Sequence, residues 1–388
     1  MAVGSARALS LQRLNRLGVF CITGGGSPLL SELLTTPGAS KTVLEATVPY
    51  AGTALTDYLG AEPEQSCSET TARATAVAAF ERARALVLRA DASTAGKRTA
   101  DRCFGFGCTA SLATDRTKRG EHRAHVAVQT AELTLSVRYD FPRRGTRRSH
   151  EKLLHEAQWQ VLAQALDLED SETSTVGPEA TQTTLTEARP EWRRLLLDRA
   201  DSVRAAGFSR ASRGQTPKLL LPGSFNPLHA GHRRMLEVAE AKLHVPGAFE
   251  LAITNVDKHS LDYSTISERL APFRGPGSAG RLWLTRLPTF IGKAREFPGV
   301  TFAVGADTIE RIGMARYYGS QAACNKALDE LAQLETRFLV FGRRLNGDFQ
   351  TLADLKLPRR LRKLCSGVTE DEFRSDLSST AHRRSAQH

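Results

Sequence analysis

No apolar run in this 388-residue chain approaches the roughly 18 residues that a membrane-spanning helix needs. With 41% hydrophobic and 24% charged residues, the composition is that of a soluble globular protein, and no membrane partner is expected. The six cysteines, Cys21, Cys67, Cys103, Cys108, Cys324 and Cys365, form no CxxC pair and no zinc spacing with histidine. Reduced thiols, a cytoplasmic location and no bound structural metal are the expectation. No acid precedes Glu32, whereas Arg7, Arg13 and Arg16 do. That trait is shared with transit peptides and leaves an organelle address open, although Leu9 to Phe20 reads as a helix feeding a strand.

One stretch lacks both basic residues and anything to bury. From Glu169 to Ala188 the chain reads EDSETSTVGPEATQTTLTEA, with acids, threonines and no Lys or Arg. Such a segment cannot offset its own ordering entropy, which predicts a mobile linker over 169–189 and two domains, 1–168 and 190–388. A helix is expected to start at Pro190 in PEWRRLLLDRADSVRAAG.

The formal charge of +11 raises the question of nucleic acid, but Lys and Arg are scattered and no nucleic-acid motif accompanies them. A basic surface that draws small phosphorylated ligands is the better reading. Homo-oligomerisation is left open.

In the second half the apolar runs KLLLPG, FELAITNV, RLWLTRL, VTFAVG and RFLVFG alternate with helical patterns such as GHRRMLEVAEAKL. Continuous apolar strands separated by helices predict a parallel sheet covered on both faces, a doubly wound α/β domain. Ligands in that architecture bind beyond the carboxyl ends of the strands. At one such end Gly223 permits a sharp turn, Pro227 fixes the loop, and His229 and His232 flank a helix start, where free N–H groups favour an anion.

The string GSFNPLHAGH, Gly223 to His232, resembles the GxFxPxHxGH signature of the nucleotidyltransferase superfamily. That superfamily includes nicotinamide/nicotinate mononucleotide adenylyltransferases, phosphopantetheine adenylyltransferases and cytidylyltransferases. VGADTIERI, with Gly305 and Asp307, resembles the segment that holds adenosine in the pyridine-nucleotide members. LSSTAHR, with Ser378, Ser379, Thr380 and Arg383, resembles their ISSTxIR motif, His382 replacing the isoleucine. Lys258 lies where these enzymes carry a lysine after the second strand.

The resemblance implies a Rossmann-like fold, ATP with Mg2+, and transfer of AMP to nicotinamide or nicotinate mononucleotide with loss of pyrophosphate. His229 and His232 would hold the α- and β-phosphates, and Ser224, Phe225 and Asn226 would line the signature loop. A different acceptor (phosphopantetheine), a different donor (CTP) and a non-catalytic nucleotide-binding regulator are the alternatives.

In the first half, LGVFCITGG and TTPGASKTVLEATVPYA resemble the ESxTGG and VPGxSxxxxGGVVxY segments of the CinA C-terminal family of nicotinamide mononucleotide deamidases, implying an α/β domain of that type. Cys21, Thr23, Gly24, Gly25 and Tyr50 would be the remnant of its site. Phe20 and Cys21 replace the family's Glu-Ser pair, and Leu55 stands where a lysine is expected. These departures favour a binding or scaffold role over deamidation.

Overall fold

The computed structural model of the protein describes residues 5–115, 120–168, 177–205, 216–255, 259–274, 281–345 and 348–374. Contacts divide the chain into two compact units: Met1–Leu197 with Asp257–Ser267, and Asp198–Val256 with Glu268–His388. Both are α/β. Among the described residues no helix is long and apolar enough to cross a membrane.

The N-terminal unit runs α1 (Ala6–Arg13), β1 (Gly18–Thr23), α2 (Ser27–Thr35), β2 (Val43–Thr47), α3 (Gly52–Leu59), α4 (Glu69–Ala90), α5 (Thr94–Asp101), β3 (Phe104–Ser111), β4 (His122–Gln129), β5 (Leu133–Phe141), α6 (Arg147–Leu166), β6 (Gln182–Glu187) and α7 (Pro190–Leu196). Its sheet has the order β2-β1-β3-β4-β5-β6. β1 is parallel to β2 and β3, and the pairs from β3 through β6 are antiparallel. Helix α4 reads ETTARATAVAAFERARALVLRA, capped by the Ser68 side chain, and its alanine-rich face lies on β3. Two glycines make that seat possible. A Cβ on Gly105 would stand 2.0 Å from the Ala76 carbonyl oxygen, and one on Gly107 would stand 2.4 Å from that of Ala72.

The linker expected over 169–189 needs correction. Residues 169–176 lie outside the described residues, but 182–187 form edge strand β6, paired residue by residue with β5 from Arg138↔Gln182 to Leu133↔Glu187. Backbone pairing holds this strand, since its side chains are mostly exposed. The boundary at 190 also moves. α7 belongs to the N-terminal unit, where Trp192 is buried and stacks on Tyr263 at 6.3 Å. The helix expected from Pro190 stops at Leu196, and Ser202–Arg204 form a strand instead.

Tyr263 itself comes from the excursion Asp257–Ser267. It is wholly buried; its hydroxyl donates to the Ala131 carbonyl at 2.9 Å and its backbone N–H to Thr134 Oγ1 at 3.0 Å. The second domain is therefore not one continuous stretch of chain.

The C-terminal unit continues with β7 (Ser202–Arg204), β8 (Leu219–Pro222), α8 (Ala230–Leu243), β9 (Gly247–Ala252), α9 (Tyr263–Leu270, whose first turn lies in the excursion), β10 (Leu282–Thr285), α10 (Phe290–Glu296), β11 (Thr301–Gly305), α11 (Ala306–Ile312), α12 (Gln321–Gln333), β12 (Arg337–Phe341), β13 (Arg343–Leu345), β14 (Asp348–Gln350), α13 (Arg359–Arg362) and β15 (Cys365–Gly367). The sheet order is β15-β12-β11-β8-β9-β10-β7, parallel except for β7, with β13 and β14 a separate hairpin. Successive strands add outward from β8 in one direction through β9 and β10, then in the other through β11, β12 and β15. The topological switch falls between β8 and β11, where doubly wound sheets open a crevice for ligand.

Candidate functional site

At the carboxyl end of β8 the backbone leaves the sheet through Gly223, whose N–H donates to the Glu250 carbonyl at 3.0 Å. A Cβ at Gly223 would stand 2.6 Å from the Phe225 ring, so only glycine fits. Phe225 adopts φ +43°, a left-handed conformation costly for a bulky residue. Its buried ring is held there edge-on to Phe249 and Phe273, with centroids 5.5 and 5.3 Å away, and to His232 at 5.2 Å. Expected in the nucleotide-binding loop, Phe225 instead has its side chain beneath that loop, as the support of an imidazole. Ser224 and Asn226 are exposed.

His229 is the residue immediately before α8, and His232 is in its first turn. The His229 backbone N–H donates to His232 Nδ1 at 3.3 Å. Because Nδ1 accepts, the ring proton is assigned to Nε2, which leaves that nitrogen as a donor. The two rings stack, centroids 3.7 Å apart and 25° from parallel. Burial, then the neighbouring His229 and Arg343, push the His232 pKa down to about 3. At neutral pH His232 is thus an uncharged Nε2–H donor.

Across the switch point, Gly305 ends β11 and Asp307 lies in the first turn of α11. The Asp307 Oδ1 accepts from Arg343 Nη1 at 3.0 Å. The structure therefore gathers Gly223, Ser224, Asn226, His229, His232, Gly305 and Asp307 at the carboxyl ends of two adjacent parallel strands. Lys258, Ser378, Ser379, Thr380 and Arg383 lie outside the described residues. Arg343 is not among the residues expected from the sequence. Its signal was present in RFLVFGRR, a basic pair just past a strand run, and the register Gly305↔Phe341 sets it beside Asp307.

The N-terminal unit holds a cavity of about 200 Å3 whose lining includes Thr23, Gly24, Tyr50, Cys67, Thr114 and Arg147. Gly24 has φ +77°, and a Cβ there would meet the Ala110 carbonyl oxygen at 1.9 Å. Arg147 Nη2 donates to the Gly24 carbonyl at 2.8 Å, and Glu151 Oε2 accepts from the Gly26 N–H at 2.8 Å. Thr23 Oγ1 donates to the Pro49 carbonyl at 2.9 Å. Thr23, Gly24 and Tyr50 thus share one cavity, while Gly25 and Cys21 are not among its lining. Cys21 sits inside β1, fully buried, and burial pushes its thiol up to about 12. Leu55 is buried in the core.

Neither a family model nor a curated protein matches the chain. Among solved structures it is similar to a competence/damage-inducible protein, CihA, from Agrobacterium tumefaciens, with 18% identity, 44% of this chain and 100% of that chain covered, and a TM-score of 0.33. It is also similar to a CinA-superfamily competence-damaged protein from Escherichia coli, with 21% identity, 42% and 87% coverage and a TM-score of 0.31. A competence damage-inducible protein from Klebsiella pneumoniae gives 19% identity, 42% and 90% coverage and a TM-score of 0.25. Likeness at this level carries no argument about activity.

Proposed function

We propose that the C-terminal unit is a nucleotidyltransferase that moves AMP from ATP to nicotinamide or nicotinate mononucleotide. The observation that carries this reading is the stacked His229–His232 pair at the topological switch, with the His232 tautomer set so that Nε2–H donates. A phosphate oxygen of the mononucleotide attacks the α-phosphorus of ATP, the new P–O bond forms, the bond to the β-phosphate's bridging oxygen breaks, and pyrophosphate leaves with that electron pair. Such a transfer needs positioning and charge stabilisation and no protein nucleophile. His229 and His232 bind the α- and β-phosphates at the start of α8, where free N–H groups also favour anions. Ser224 and Asn226 border that loop. The choice of a pyridine mononucleotide rests on the likeness of VGADTIERI and LSSTAHR to that branch of the superfamily.

Among the described residues no three His, Cys, Asp or Glu converge on a metal position. Magnesium would enter with the triphosphate, on whose oxygens it would neutralise charge.

The N-terminal unit, on the same reading, binds a mononucleotide without deamidating it. Its cavity is bordered by Arg147, but Cys21 is buried and Leu55 offers no base. The test for the whole reading is pyrophosphate release from ATP and magnesium against a panel of phosphorylated acceptors. Release with pyridine mononucleotides supports it; release only with phosphopantetheine, or only from CTP, replaces the substrate assignment. ATP binding without turnover points to a regulator.

A further inference from the structure

Arg343 stands two residues past Phe341, and Asp307 two past Gly305, so the parallel register Gly305↔Phe341 brings them together beyond the carboxyl edge of the sheet. Their contact is a 3.0 Å bond through Nη1, with side chains 44% and 27% exposed. An ion pair as wet as this adds little to stability. The charge of Arg343 also reaches His232, where it helps to keep the imidazole neutral. A guanidinium held against Asp307 at the carboxyl edge of the sheet that also carries the histidine pair is placed to meet the same phosphates, and its planar fork fits phosphate oxygens as well as a carboxylate.

We infer that Arg343 is a phosphate-binding residue of this site and that Asp307 competes with the nucleotide's β- and γ-phosphates for it. The inference rests on the nucleotidyltransferase reading. A polyphosphate carries more negative charge than one carboxylate, so it draws the guanidinium from Asp307 and leaves that carboxylate to the rest of the nucleotide. The pair thereby couples occupancy of the pyrophosphate position to the freedom of Asp307.

Titration calorimetry of the full chain with inorganic pyrophosphate and magnesium tests the exchange. Arg343→Gln is expected to weaken binding about 10- to 100-fold, the scale of one lost charged donor, and Arg343→Lys to fall between it and the parent. Asp307→Asn is expected to tighten binding by up to about fivefold, the worth of an exposed ion pair. In the Arg343→Gln background Asp307→Asn is expected to have no such effect. Shifts of the same sign, or an Asp307→Asn gain that persists without Arg343, overturn the inference while leaving the reading intact if the parent binds pyrophosphate and His232→Ala weakens it. A parent that neither binds pyrophosphate nor releases it from ATP overturns both. The two Arg343 variants and Asp307→Asn all replace exposed or half-exposed side chains, and near-UV circular dichroism matching the parent confirms that each is folded.

Discussion

The backbone N–H of His229 points at Nδ1 of His232 across 3.3 Å, and the same two residues stack their rings 3.7 Å apart. One hydrogen bond at the start of α8 therefore fixes both the tautomer and the orientation of the imidazole. Replacing His232 with alanine removes a preorganised donor, worth about 10² to 10³ in turnover. His229→Ala is expected to behave alike, and the double variant to lose less than the product of the two if both hold one phosphate group. Pyrophosphate release measures the loss; wild-type turnover in a folded His232→Ala removes the histidine from the mechanism.

The acid side of the stability curve carries a second signature of His232. Its folded pKa, about 3, lies below the unfolded value of about 6.5, so the unfolded chain takes up the proton first. The contribution is fully present above pH 6.5 and is lost as pH falls toward 3. Urea unfolding at pH 7 and pH 5 is expected to show a larger drop for the parent than for His232→Asn; equal drops contradict the buried neutral imidazole. The lower limit avoids Glu32. Burial raises its pKa, but hydrogen bonds from His155, Ser5 and Trp159 outweigh this and hold it at about 2, so its contribution is lost between about pH 4.5 and 2.

Tyr263 supplies a test of the unit boundaries. Tyr263→Ala opens a hole where a wholly buried ring stood and is expected to destabilise the N-terminal unit by about 3 to 5 kcal/mol. Tyr263→Phe loses the bond to Ala131 and is expected to cost about 1 kcal/mol. A fragment ending at Leu197 lacks this ring and should unfold at lower urea than the full chain. Equal midpoints contradict the assignment of Asp257–Ser267 to the N-terminal unit.

Much of the C-terminal sheet was legible because LLL, FELA, FAVG and FLVF are buried on both faces and so read as unbroken apolar runs. In the signature loop the turn at Gly223 and the helix start after His229 were legible, because each answers a local demand of backbone geometry. β6 was not. QTTLTE sits at a sheet edge with most side chains in water, and its stability comes from backbone pairing with β5, to which composition is blind. The role of Phe225 was also hidden, since its ring turns under the loop only because Phe249 and Phe273, distant in sequence, form the pocket that receives it.

Cys21 separates the N-terminal readings. Its thiol is pushed up to about 12 by burial within β1 and should resist iodoacetamide in the native state, while partly exposed Cys67 is labelled before it. Peptide mass spectrometry after brief alkylation reports the order. Rapid labelling of Cys21, or ammonia release from nicotinamide mononucleotide that Cys21→Ala abolishes, contradicts a non-deamidating unit.

Adenylyl transfer at the His229–His232 pair is decided by its product. ATP and magnesium with nicotinamide or nicotinate mononucleotide are incubated with the parent and with His232→Ala, and the products are weighed by mass spectrometry. The expected product is a dinucleotide, the mononucleotide joined to AMP through a new phosphoanhydride, formed by the parent and reduced about 10²-fold or more in the variant. Unchanged ATP with every acceptor, or equal dinucleotide from both proteins, contradicts it.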